Sequence, residues 1–199
     1  MLKDPKFIFS EDILDKCIKF AQDSVGTNAG KYASRNQFNP EKIKNDIKTG
    51  KLGEEVVYNK LSELYPNLTK PDYTIYAKKD KSWDPDLKDA ASKLRFGVKT
   101  QDLKSELAYG CSWVFQCRMG AKYDCDTGVF GKDIDPNHYV CFVSLNAPKR
   151  FGVIKAIVKI QWLHDKKMFK EMRQEYLRGN KVAVYYEDLE RYPKELYQL

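Results

Sequence analysis

The tightest constraint on this chain is the run Leu94-Arg95-Phe96-Gly97-Val98-Lys99-Thr100-Gln101. Phe96 and Val98 alternate with Gly97, Lys99 and Gln101 at the period of a strand, so the two apolar side chains point one way and the lysine and glutamine the other. Such a strand needs cover on its apolar face. The segment from Lys51 to Leu64 can supply it, because Leu52, Val56, Val57, Leu61 and Leu64 form one broad apolar side of a helix. Between the two, Trp83-Asp84-Pro85-Asp86-Leu87 reads as a second strand, kept short by Pro85. Asp84 and Asp86 share one of its sides. Asp86 stands thirteen residues before Lys99, close enough for adjacent strands of a hairpin, with Lys88 to Lys93 as the polar turn.

The flanking sequence extends this pattern in both directions. Ser10-Glu11-Asp12 is an N-cap followed by first-turn acids, and Ile13, Leu14, Cys17, Ile18 and Ala21 recur at helical spacing until the Gly26 to Gly30 run breaks the helix. Asn39-Pro40 starts a second helix with Ile43 and Ile47 on its buried edge, and Gly50 marks its end or a bend. Tyr73-Thr74-Ile75-Tyr76, Ser112 to Cys117, His138 to Val143, Phe151 to Ile160 (one or two strands) and Lys181 to Tyr186 read as strands. A polar insertion runs from Gly120 to Asn137. Leu163 to Leu177 reads as a helix through Met168, Met172 and Tyr176, with Lys166, Lys167, Lys170 and Arg173 as a basic side. The expectation is one α/β domain over residues 1–199, a length that suits a single core, with a helical region up to about residue 50 and additions at the C-terminal end.

The charge balance narrows the partners. A formal charge of +7 and a pI near 9.0 favour a polyanion, since lysines and arginines that displace counterions from phosphates supply most non-specific nucleic-acid affinity. Five cysteines leave one unpaired in any disulfide scheme and none forms C-x-x-C, so reduced thiols are expected. Cys125, His138 and Cys141 lie close in sequence but match no familiar zinc finger. No long apolar run exists, and Met1-Leu2-Lys3-Asp4-Pro5 lacks the apolar core of a signal peptide, so a cytoplasmic protein without a membrane partner is expected.

Two glutamates follow Gly53, and the helical advance separates them. Glu54 lies roughly 20° from Leu61 and borders the buried side, whereas Glu55 falls roughly 120° away, towards solvent. A helical carboxylate, a carboxylate on a hairpin and a lysine on the next strand form a set that phosphodiester hydrolysis can use. Carboxylates hold a hard divalent cation, which polarises the phosphoryl oxygen and lowers the pKa of a bound water, and the lysine brings positive charge to the reacting phosphorus.

Taken together, Gly53-Glu54, Asp86 and Val98-Lys99-Thr100-Gln101 resemble the PD-(D/E)XK nuclease superfamily, home to many restriction endonucleases, Holliday-junction resolvases and repair or phage nucleases. The resemblance covers roughly residues 50 to 117. It implies a restriction-endonuclease-like core, a central mixed β-sheet flanked by α-helices. Glu54 matches the helical acid, Asp86 the acid of the central hairpin and Lys99 the lysine. The Val98 carbonyl matches the metal-contacting carbonyl beside that lysine, and Gln101 the polar residue two places on. The literal Pro71-Asp72 pair is a less suitable acid because of its distance from Lys99. One departure is Gly97, where the superfamily normally has Asp or Glu; Glu54 or Asp84 supplies the missing charge, or the chain is a non-cleaving relative.

The activity implied is that of a Mg2+-dependent DNA endonuclease, with Mn2+ able to substitute, most like a type II restriction enzyme that cuts double-stranded DNA as a homodimer. The alternatives are a structure-selective or repair nuclease such as a junction resolvase, and a DNA-binding relative without chemistry. Arg35, Asn36 and Gln37 could reach a DNA groove, where arginine reads guanine and the amides read adenine, or form a plain polar connection.

Overall fold

The computed structural model describes residues 5–33, 37–76, 85–117, 127–130 and 134–199. Two long helices form its first layer. α1 (Glu11–Ala33) starts behind Ser10, whose hydroxyl accepts from the Ile13 N–H at 3.4 Å. It continues through Gly26 and Gly30 where the sequence suggested a break, since an isolated glycine costs a helix only about 1 kcal/mol. α2 (Pro40–Leu61) opens as expected, with the Asn39 side chain accepting from the Lys42 N–H at 3.1 Å and Pro40 in the first turn. It too is one helix, with Gly50 in its interior facing open space.

The second layer is a mixed five-stranded sheet in the order β1-β6-β5-β3-β2, built from β1 (Lys6–Ile8), β2 (Leu87–Asp89), β3 (Leu94–Asp102), β5 (His138–Asn146) and β6 (Phe151–Lys159). β3 and β5 run parallel, and the other neighbours are antiparallel. A parallel pair needs a crossover, and the chain makes it through α3 (Leu103–Tyr109), β4 (Ser112–Gln116) and α4 (Thr127–Phe130). β4 joins β7 (Lys170–Glu171) and β8 (Lys181–Tyr185) in a small antiparallel sheet of order β4-β8-β7. The fold is thus mixed α/β, with a central mixed sheet flanked by helices.

Both faces of the central sheet are covered, which is why β5 reads as an almost unbroken apolar run. On one face Leu52, Val56, Val57 and Leu61 of α2 pack against Phe96, Cys141, Val143 and Ile154. On the other, Val140, Phe142, Ala156 and Val158 meet Trp113 and Phe115 of β4, together with Ile160 and Leu163 of α5 (Ile160–Asp165) and Leu189 of α6 (Tyr186–Leu189). The Trp113 indole N–H donates to the Val143 carbonyl at 2.9 Å, tying the small sheet to the large one.

Two elements differ from the sequence expectation. The helix expected over Leu163 to Leu177 ends at Asp165; Lys167 takes a φ of 54°, the Met168 N–H bonds to the Leu163 carbonyl at 2.8 Å, and the chain then forms β7 and a 3-10 turn, Glu175–Leu177. Met168 and Met172 have helical spacing but anchor two separate apolar clusters, so the basic residues between them share no helical side. Tyr73 to Tyr76 is a local turn and not a strand: the Asp72 carboxylate accepts from the Thr74 N–H at 2.8 Å and from the Tyr76 hydroxyl. Phe151 to Lys159 is a single strand.

Candidate functional site

Gly53 lets α2 settle onto β3. A Cβ at this position would lie 1.8 Å from Thr100 Oγ1, so any side chain would push helix and strand apart. Gly152 serves the same contact on β6, where a Cβ would lie 2.4 Å from Val56 Cγ2. Because the helix is seated so closely, Glu54 is buried against the sheet, 8% exposed.

β2 covers only the beginning of β3. Leu87, Lys88 and Asp89 pair with Phe96, Arg95 and Leu94, and among the described residues no strand pairs with the rest of β3 on that side. Asp86 continues the register opposite Gly97, and its Oδ2 accepts the Val98 N–H at 2.7 Å. The N–H and C=O of one strand residue point to the same edge, so the Val98 carbonyl also faces the Asp86 side. Glu54 feels the same carboxylate. Burial first, and then the Asp86 charge, push the Glu54 carboxyl up to about 8, while Lys51 acts in the opposite direction.

Lys51 is a residue that the sequence reading passed over. Its Nζ lies 2.6 Å from Glu54 Oε2, with the two side chains 13% and 11% exposed, and close to the rings of Phe20 and Tyr73. The signal was present in the chain, since positions 51 and 54 are neighbours on a helix surface. Glu55 is a correction. Expected towards solvent, it is 6% exposed, because α1 packs along that side of α2; its Oε1 accepts from the Tyr73 hydroxyl at 2.8 Å and Lys16 Nζ stands 3.7 Å away.

The remaining sequence-named residues are distributed differently. Lys99 projects from the opposite face of β3, where its ammonium lies 4.7 Å from the centroid of the Phe115 ring, while Val98 packs into the cluster beneath α2. Gln101 also points that way, and both ends of its amide are engaged: Nε2 donates to the Gly110 carbonyl at 2.9 Å and Oε1 accepts from the Ser112 N–H at 2.8 Å. It clamps the corner between α3 and β4. Gln37 accepts from the Asn39 N–H at 3.2 Å just ahead of α2. Arg35 and Asn36 lie outside the described residues, as do Asp84 and Cys125.

The Asp86 carboxylate therefore sits on the Val98 main chain at one edge of β3, with its charge acting on Glu54 of α2, and Lys99 and Gln101 do not join them on the α2 face. The donor set fits a hard cation. All three groups offer oxygen, and the Asp86 charge raises the Glu54 pKa, a repulsion of the kind that a divalent ion relieves. Among the described residues no three His, Cys, Asp or Glu side chains group around a common point that could hold a metal. A cation here would rest on two carboxylates, a carbonyl and water, as Mg2+ commonly does.

Compared with family models, with curated proteins and with solved structures, the chain gives no match in any of the three. Among the described residues, no helix is long and apolar enough to cross a membrane.

Proposed function

We propose that this chain is a Mg2+-dependent DNA endonuclease with a core of the PD-(D/E)XK type. The observation that carries the reading is the Asp86 carboxylate on the Val98 N–H at the open edge of β3, with its charge acting on the buried Glu54. Glu54 and Asp86 hold the cation, with Mn2+ as a substitute. When bound, the ion polarises a phosphoryl oxygen and lowers the pKa of a coordinated water. Lys51 balances the two carboxylates before substrate arrives. Lys99 is the charge partner of the phosphate. It has to leave Phe115 to serve there, and a partly exposed cation–π contact is worth about 0.5–1 kcal/mol. Gln101 supports the α3–β4 corner in this account.

The formal charge of +7 suits double-stranded DNA as partner, and a homodimer of the type II restriction kind would present two such sites to two strands. Incubation of purified protein with plasmid and Mg2+, beside Asp86→Asn and Lys99→Ala, tests the reading. Cleavage by the wild type and loss in both variants is expected; equal cleavage by all three, or none on plasmid or branched DNA, would overturn it. Preference for a branched junction over linear duplex would select a junction resolvase in place of a restriction enzyme.

A second reading is a DNA-binding relative without chemistry, and the direction of Lys99 favours it together with Gly97. Such a protein would shift DNA in a gel with no requirement for Mg2+, and Asp86→Asn would leave the shift unchanged.

A further inference from the structure

A groove of about 380 Å3 opens between the end of α3 and the segment that follows β7, lined by Ala108, Tyr109, Gly110, Arg173 and Gln174. None of the carboxylates of the candidate cation site lines it. Gly110 builds one wall. Its φ of 79° ends α3, with its N–H donating to the Glu106 carbonyl at 2.9 Å, in a conformation that side chains rarely adopt. The missing side chain also leaves room beside the Arg173 guanidinium, since a Cβ here would lie 3.3 Å from Nη1. The Gln101 amide fastens this wall to β3 through the Gly110 carbonyl.

The other wall holds a cation in a fixed place. The Arg173 guanidinium carbon lies 4.2 Å from the centroid of the Tyr185 ring, its main-chain N–H donates to the Tyr185 hydroxyl at 3.0 Å, and Nη2 donates to the exposed Glu187 carboxylate. An exposed ion pair of this kind holds weakly, whereas stacking on a ring orders the planar fork. Glu187 takes one of the five N–H donors, and Nη1 is the nitrogen beside Gly110. Tyr109 is 51% exposed although aromatic, and Gln174, whose side chain leaves the following 3-10 turn uncapped, adds a half-buried amide.

An ordered guanidinium, an open aromatic ring and an amide are the groups that take an unpaired nucleotide. The fork binds its phosphate, the ring stacks on its base and the amide meets the base edge. A groove of this volume is at the small end of ligand sites and suits one nucleotide. The bases of a duplex, already stacked and paired, offer Tyr109 no free face.

We infer that this groove is a subsite for one unpaired nucleotide of a DNA strand, with Arg173 on its phosphate, Tyr109 on its base and Gln174 at the base edge. The inference rests on the nucleic-acid partner of the reading above and not on its hydrolytic chemistry. Binding here needs no divalent cation.

A short oligothymidine carrying one 2-aminopurine, titrated with the full chain in EDTA, tests it without metal or cleavage. The wild type is expected to bind the strand and quench the 2-aminopurine by stacking. Tyr109→Leu should weaken binding about tenfold and abolish the quench, while Tyr109→Phe, which keeps the ring, behaves as wild type. Arg173→Gln should weaken binding and lower the salt slope by about 0.7, the share of one phosphate on a single strand. Affinity for a blunt duplex of the same length should be unchanged by the Tyr109 variants.

Equal binding by wild type and Tyr109→Leu, a Tyr109→Phe that fails with it, an equal loss on the duplex, or displacement of the strand by oligoglutamate at equal charge would overturn the inference, whatever plasmid cleavage shows. A wild type that binds neither strand nor duplex would overturn it together with the DNA partner. A groove that binds the strand in a protein that cuts no DNA would remove the hydrolytic reading and leave this one standing.

Discussion

At the scale of single residues, two glycines on either side of one contact have opposite meanings. Gly53 faces Thr100 with no room for a methyl group, whereas Gly97 has ordinary space above it. Gly53→Ala is therefore expected to destabilise by about 1–3 kcal/mol in urea unfolding, with part recovered in the double variant carrying Thr100→Ala, while Gly97→Ala stays within about 1 kcal/mol of wild type. Equal effects at the two positions would contradict this description of the helix seat. Glu54 makes a separate prediction. Its folded pKa is raised to about 8, so the folded state holds the proton more tightly than the unfolded chain does. The associated stability is fully present below the ordinary carboxylate range and is lost as pH rises through about 8. Urea midpoints should fall between mildly acidic pH and pH 8.5, and Glu54→Gln should flatten that slope; an identical slope in the variant would exclude Glu54 as its source.

Among elements, the corner from β3 through α3 to β4 depends on Gln101, whose amide reaches Gly110 and Ser112 at once. Gln101→Ala leaves a buried N–H and a carbonyl without their partner and is expected to cost about 1–3 kcal/mol of stability. If instead it lowers cleavage with stability unchanged, Gln101 belongs to the chemistry. This corner also shows what was legible in the chain. The alternation of Phe96 and Val98 with Lys99 and Gln101 gave β3 and its two faces, and Asn39-Pro40 gave the start of α2, because both signals are local. Glu55 was not legible, since the partner that buries it is α1, an element far away in sequence. The two methionines after Leu163 misled for the same reason: their burial is set by two clusters that only the tertiary fold defines.

For the molecule as a whole, the central sheet separates two packed sides. α2 brings Glu54 to one face, the crossover brings β4 and Phe115 to the other, and Asp86 reaches the edge between them. A nuclease built this way would bind its cation at the edge and meet the phosphate from the Lys99 face. Binding of Mn2+ to the full chain, followed by electron paramagnetic resonance, tests this account most directly. The wild type is expected to bind Mn2+, and Glu54→Gln and Asp86→Asn each to weaken it by about 1.4 kcal/mol or more, a factor of ten in Kd. Equal affinity in all three proteins, or none in the wild type, would contradict it.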